Sequence, residues 1–205
     1  MDNNLCFFDN YYYNIINNIF NILGENNNIL LVIKNDFNIF DHFSHIIKKK
    51  NINIDILIEN IDIYNKIVED VKGEECENNI KLYSTIEDIS NNKIYNVISI
   101  FHLDSTQNFE NILNKVSNLL NKNTLIYVYS SLSNKEYKNI SYQNYCRKII
   151  NQYTNLNIGN ILKLSDIILL IDTLNYNIVS LKTYKKNNYL LYGDNTVYQI
   201  IINKN

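Results

Sequence analysis

The chain is 205 residues long, 46% hydrophobic, and has a formal net charge of −2. That length suits one domain with a core able to bury about 70% of the unfolded chain's surface, and the apolar share excludes a disordered polymer. Interspersed charge of both signs argues against a broad basic groove for nucleic acid, and three distant cysteines, Cys6, Cys76 and Cys146, with no CxxC pairing, suggest free thiols and no metal cage.

The chain opens on Asp2-Asn3-Asn4, without the basic start of a secretory leader. Aliphatic runs such as Ile167–Ile171 are too short to cross a bilayer, so a soluble cytoplasmic protein without membrane contact is expected. Asn and Ile dominate, Tyr reaches 17, and Pro and Trp are absent, a bias that fits codons rich in A and T. Phe8, Tyr12, Ile15, Ile16, Ile19, Phe20 and Leu23 recur at helical spacing, with Asp9 placed to cap the start and Gly24 to end it. Residues 29–33, Ile-Leu-Leu-Val-Ile, form an unbroken apolar run of the kind buried on both faces of a parallel sheet. A helix over about 38–50 follows, with Ile39, Phe43, Ile46 and Ile47 on one face. Lys48, Lys49 and Lys50 fill its last turn, where positive charge complements the helix dipole.

A strand at 53–58 is closed by Glu59 and Asn60, and a helix over about 62–72 turns Ile63, Ile67 and Val71 inward. An acidic loop at 73–79 leads to a strand at 80–84, and a nearly all-apolar strand spans 95–101. Then come a helix over 109–120, a strand at 124–129, and a polar stretch at 131–160 with one helical part near 142–153. A helix over about 165–174 precedes two final strands, 178–184 and 196–203, separated by a loop containing the turn signal Gly193-Asp194-Asn195. Strand and helix alternate four times, which predicts an α/β fold: a parallel sheet with right-handed crossovers and helices on both faces.

Several phrases in this order resemble the class I S-adenosylmethionine (SAM)-dependent methyltransferases. Ile52–Glu59 resembles the family's second strand, which ends in an acid, and Tyr95-Asn96-Val97-Ile98 resembles its "Phe-Asp-Val-Val" fourth strand. Residues 119–126, Leu-Leu-Asn-Lys-Asn-Thr-Leu-Ile, resemble the entry to strand five, and Leu174–Ile178 the step into strand six. The resemblance covers nearly the whole chain as a pattern of elements. It implies a Rossmann-like, seven-stranded, mostly parallel sheet of order 3-2-1-4-5-7-6, with a C-terminal antiparallel hairpin and a cofactor over the ends of strands one, two and four. It also implies a single methyltransferase-like domain over 1–205. Within it, 1–28 would be an N-terminal helix and lead-in, 29–130 the cofactor-side half, 131–165 a variable substrate or partner segment, and 166–205 a helix and the closing hairpin.

Carried over by position, Val32 to Asn38 stand where the family has its acidic residue and glycine-rich loop, with Ile33, Lys34, Asn35 and Asp36 as the candidate cofactor-binding residues, and none is glycine. Bare backbone there allows a tight turn and close approach of the cofactor. Lys34, Asp36 and Asn38 put side chains into that space, although Asn and Asp tolerate positive φ better than most residues. Glu59, followed by Asn60, matches the carboxylate that accepts both ribose hydroxyls, or else is a solvated strand-end acid. Glu87 or Asp88 falls where an acid meets the adenine amine, and Phe101-His102-Leu103 lies where methyl donor would meet acceptor.

Other groupings point to packing more than chemistry. His102, Asp104 and Ser105 lie too close together on one strand end to line up as a triad. His42 and His45 lack a third ligand of suitable spacing, so no metal is expected. Tyr137, Lys138, Tyr142, Tyr145, Arg147, Lys148 and Tyr153 mix aromatic and basic groups able to stack bases and hold phosphates. Packing is the favoured account of those tyrosines, and the segment is the candidate partner surface. The expected function is that of a binding or stimulatory subunit which has lost SAM chemistry, with a protein partner. An active, divergent SAM-dependent methyltransferase is the alternative. A receiver-like nucleotide-binding fold fits less well, because the first strand does not end in an acidic cluster.

Overall fold

The computed structural model describes residues 16–33, 40–90, 93–101, 103, 105–153, 160–185 and 196–204. They fall in two compact units, Met1–Tyr95 and Asn96–Asn205.

In the first unit, helix α1 (described over residues 16–22) leads into β1 (Asn28–Val32), α2 (Phe40–Lys50), β2 (Asn53–Leu57), α3 (Ile61–Val71) and β3 (Ile80–Tyr83). The three strands are parallel in the order β3-β2-β1, with Val32 opposite Leu57 and Leu57 opposite Tyr83. Ile29, Leu30, Ile54 and Ile56 are fully buried, as expected for strands covered on both faces. Each such side chain contributes about 1.5–3 kcal/mol. Phe20 of α1 meets Phe43 of α2 edge to face, ring centroids 5.1 Å apart.

Gly24 does not close α1 by a left-handed turn. The positive-φ residue after that helix is Asn26, at φ 58°, and the free carbonyls of Phe20 and Leu23 accept hydrogen bonds from Lys50 Nζ at 2.7 and 3.0 Å. A short amide side chain tolerates that backbone angle, and an ammonium suits a helix C-terminus. Where the strands of this unit begin, asparagines form a ladder. Asn51 Nδ2 donates to Asn26 Oδ1 (2.7 Å), Asn79 Nδ2 to Asn51 Oδ1 (3.2 Å), and Asn53 Nδ2 to Asn28 Oδ1 (3.1 Å).

The second unit runs β4 (Val97–Phe101), α4 (Thr106–Val116), β5 (Leu125–Ser133), α5 (Tyr137–Tyr153), β6 (Leu162–Lys163), α6 (Leu164–Thr173), β7 (Tyr176–Lys185) and β8 (Thr196–Lys204). Its order is β4-β5-β8-β7, with β4 and β5 parallel, β8 antiparallel to both neighbours, and a bulge between Ile178 and Ser180. α4 starts three residues earlier than the periodicity predicts, because Ser105 caps it by accepting from the Asn108 amide at 3.0 Å.

Both runs of strands follow the expected order, with one correction. Among the described residues there are eight strands, the short β6 lying off this path, so the closing pair are β8 and β7. β5 continues past Tyr129 through Ser130–Ser133, and Leu132 and Ser133 pair in parallel with Leu162 and Lys163 of β6. The serines there read as loop, yet Ser130 and Ser133 are buried, their Oγ atoms accepting from the amides of Leu103 and Lys135. Among the described residues, no helix is long and apolar enough to cross a membrane.

Candidate functional site

In the first unit, β1, β2 and β3 run parallel, so their carboxyl ends share one edge, where open α/β sheets hold ligands. Ile33 follows β1 there. It is 3% exposed and its amide donates to Leu57 O at 3.1 Å, so its side chain serves the core. Lys34, Asn35 and Asp36 lie outside the described residues, as does His102.

Glu59 is exposed two residues beyond the end of β2, its carboxylate presented to solvent. Asn60 beside it caps α3, its Oδ1 accepting from the amides of Asp62 (2.9 Å) and Ile63 (3.2 Å). That oxygen is thus committed to the helix start. Glu87 is exposed within the short 3-10 turn Ile86–Asp88 beyond β3, while its neighbour Asp88 accepts from Thr85 Oγ1 at 3.0 Å. Adjacent parallel strands therefore bring Glu59 and Glu87 to the same edge. A carboxylate such as that of Glu59 accepts hydrogen bonds and donates none. A hollow of about 400 Å³ between α3 and β3, lined by Val71, Lys72, Glu77, Ile80 and Leu82 among others, opens instead beside the start of β3.

A buried polar cluster escaped the sequence reading. Asp55 is 1% exposed in the middle of β2, and Lys93 Nζ lies 2.7 Å from each of its oxygens. The Tyr95 hydroxyl donates to Asp55 Oδ2, and burial, followed by that bond and the carboxylate's charge, pushes the Tyr95 phenol well above its ordinary range. Burial, then the charge of Asp55, also pushes Tyr83 up. The only signal was an acid inside the otherwise apolar Asn53-Ile54-Asp55-Ile56-Leu57. Its mid-strand position makes it a support for the sheet.

The aromatic and basic segment differs from its expectation. α5 begins at Tyr137, and Tyr142, Tyr145 and Tyr153 are 70, 62 and 85% exposed, so packing does not account for them. Arg147 is instead buried, and burial lowers its guanidinium to about 10. Tyr137 donates to both oxygens of Asp166, at 2.9 and 2.8 Å, beneath the Lys163 ammonium. Lys50 is tied to α1, and Lys48 pairs with Glu75 at 3.7 Å, so the lysine run is a helix end. Among the described residues, no three metal-ligating side chains cluster.

Comparison with solved structures places this architecture. A Bacillus halodurans protein assigned as a methyltransferase superposes with a TM-score of 0.65 at 9% identity, covering 94% of this chain and 98% of its own. A SAM-dependent methyltransferase of Methanosarcina mazei gives 0.62 at 11% identity, covering 91% and 96%. A mycolic acid cyclopropane synthase, solved with S-adenosylhomocysteine (SAH), gives 0.62 at 9% identity, covering 89% and 80%. The chain therefore has the fold of the class I SAM-dependent methyltransferases. No protein-family model and no curated protein matches it by sequence.

Proposed function

We propose that this chain is a methyltransferase-fold protein that has given up SAM chemistry and works as a binding or stimulatory subunit of a protein assembly. One observation carries the reading. The seven-residue connection from β1 to α2, Ile33-Lys34-Asn35-Asp36-Phe37-Asn38-Ile39, contains no glycine where the fold ordinarily uses bare backbone against the cofactor.

A specific observation favours a second reading, that of an active, divergent methyltransferase. Glu59 keeps an exposed carboxylate beyond β2, in the place suited to ribose hydroxyls, with Glu87 beyond β3. SAM is the cofactor in that case, and His102 follows β4.

Isothermal titration of the chain with SAM and SAH separates the two. The first reading expects no heat at millimolar ligand. Micromolar binding that Glu59→Ala weakens overturns it in favour of the enzyme.

A further inference from the structure

Helix α5 has its polarity inside out. Turned inward are Ile140, 5% exposed, Arg147, 2% exposed, and Asn144, whose side chain donates to Ile161 O (2.9 Å) and accepts from Ile161 N (2.7 Å). Tyr142, Tyr145, Ile149 and Tyr153 face solvent. Their spacing of three, four and four residues keeps them in one stripe along the helix. Lys138 is exposed on the same side, and Lys148 is exposed on the flank of the stripe, about 100° round the helix. No aspartate or glutamate occurs from 137 to 153; the nearest acids are Glu136, just before the helix, and Asp166, engaged by Tyr137. A contiguous aromatic surface over a polar underside is the reverse of an ordinary surface helix, and such patches mark interaction sites.

We propose that this stripe binds single-stranded nucleic acid, with the tyrosine rings stacking on bases and Lys138 and Lys148 meeting phosphates. A partner helix would be gripped by aliphatic anchors, and among the residues whose exposure is described Ile149 is the only one on the outer side of α5. Phenol rings offer faces that any base can use. Lys138 on the stripe and Lys148 at its flank are the exposed charges of α5, both positive, so this side of the helix complements a polyanion even though the whole chain is slightly acidic. From Tyr142 to Tyr153 the helix rises about 16 Å, room for a few nucleotides. The inference rests on α5 alone and holds whether or not SAM binds.

The test is fluorescence anisotropy of the full chain with a labelled oligouridine of about 12 nucleotides. Micromolar binding is expected, its logarithm falling with log salt at a slope of about −1.4, the value for two phosphate contacts to a single strand. Replacing all three rings (Y142A/Y145A/Y153A) should weaken binding at least about tenfold with the thermal melt unchanged, and the matching phenylalanine triple should restore it. No anisotropy change at about 100 μM protein, or equal affinity in the alanine triple, overturns the proposal. So does self-association that the triple abolishes while oligouridine fails to bind, which would assign the stripe to a second copy of the chain.

Discussion

Lys93 Nζ lies 2.7 Å from each carboxylate oxygen of Asp55, an acid 1% exposed in the middle of β2. A buried carboxylate is tolerable only with close partners, and Asp55 has both this ammonium and the Tyr95 hydroxyl. The Lys93 side chain is 24% exposed, so water shares in its solvation.

Removing the ammonium leaves the acid short of a partner. Lys93→Met is expected to lower unfolding free energy by about 3 kcal/mol, at the low end for a broken buried pair because Lys93 is partly wet. Asp55→Asn in the same background should recover part of that loss. Urea unfolding at neutral pH reads both.

The Tyr95 phenol gives the chain an alkaline limit. Its folded pKa is raised above the ordinary 10.0, so its contribution is whole below pH 10. Above that the unfolded chain releases the proton and the folded chain keeps it. Stability therefore falls with rising pH, by about 1.4 kcal/mol per pH unit for each such tyrosine. Tyr83, Tyr127 and Tyr176, raised first by burial, act in the same direction. Tyr95→Phe should be less stable at pH 7 yet decline less steeply between pH 10 and 11, as followed by urea midpoints.

Lys50 holds α1 through two backbone carbonyls. Lys50→Met should cost about 2 kcal/mol, the worth of charge-assisted bonds at a helix C-terminus, whereas Lys49→Met, at an exposed position, should stay within about 0.5 kcal/mol.

Glu59 and Asn60, neighbours in sequence, should separate by experiment. Asn60→Ala removes the cap of α3 and is expected to cost about 1 kcal/mol without altering any titration with SAM or SAH. Glu59→Ala should leave stability within about 0.5 kcal/mol, and any binding of SAM would be weakened.

Much of the fold was legible because buried parallel strands announce themselves as apolar runs, as Ile29–Ile33 and Val97–Phe101 do. What escaped lay where side-chain hydrogen bonds replace apolar pattern. Ser130 and Ser133 are strand residues, and Asn144 binds backbone from the inner side of α5, so the polar stretch hid the end of β5 and the start of α5, while β6, only two residues long, is too short to show a pattern. Asp55 was invisible as a site because its partners lie 38 and 40 positions away. Glu59 and Glu87 could be located by counting from strand ends, since register alone puts them at one edge. The outward direction of Tyr142, Tyr145 and Tyr153 could not, since their spacing fits an inner face equally well.

Asn26, Asn51 and Asn175 adopt φ of 58, 50 and 59°, and Gly73, at 84°, is the fourth described residue with positive φ. Among the described residues, mirror-handed bends are thus assigned chiefly to carboxamides. Glycine ordinarily renders two services at once, pliancy and vacant volume. Asparagine inherits the first and forfeits the second, so a lineage that swaps one for the other retains its corners while crowding whatever once nestled against them.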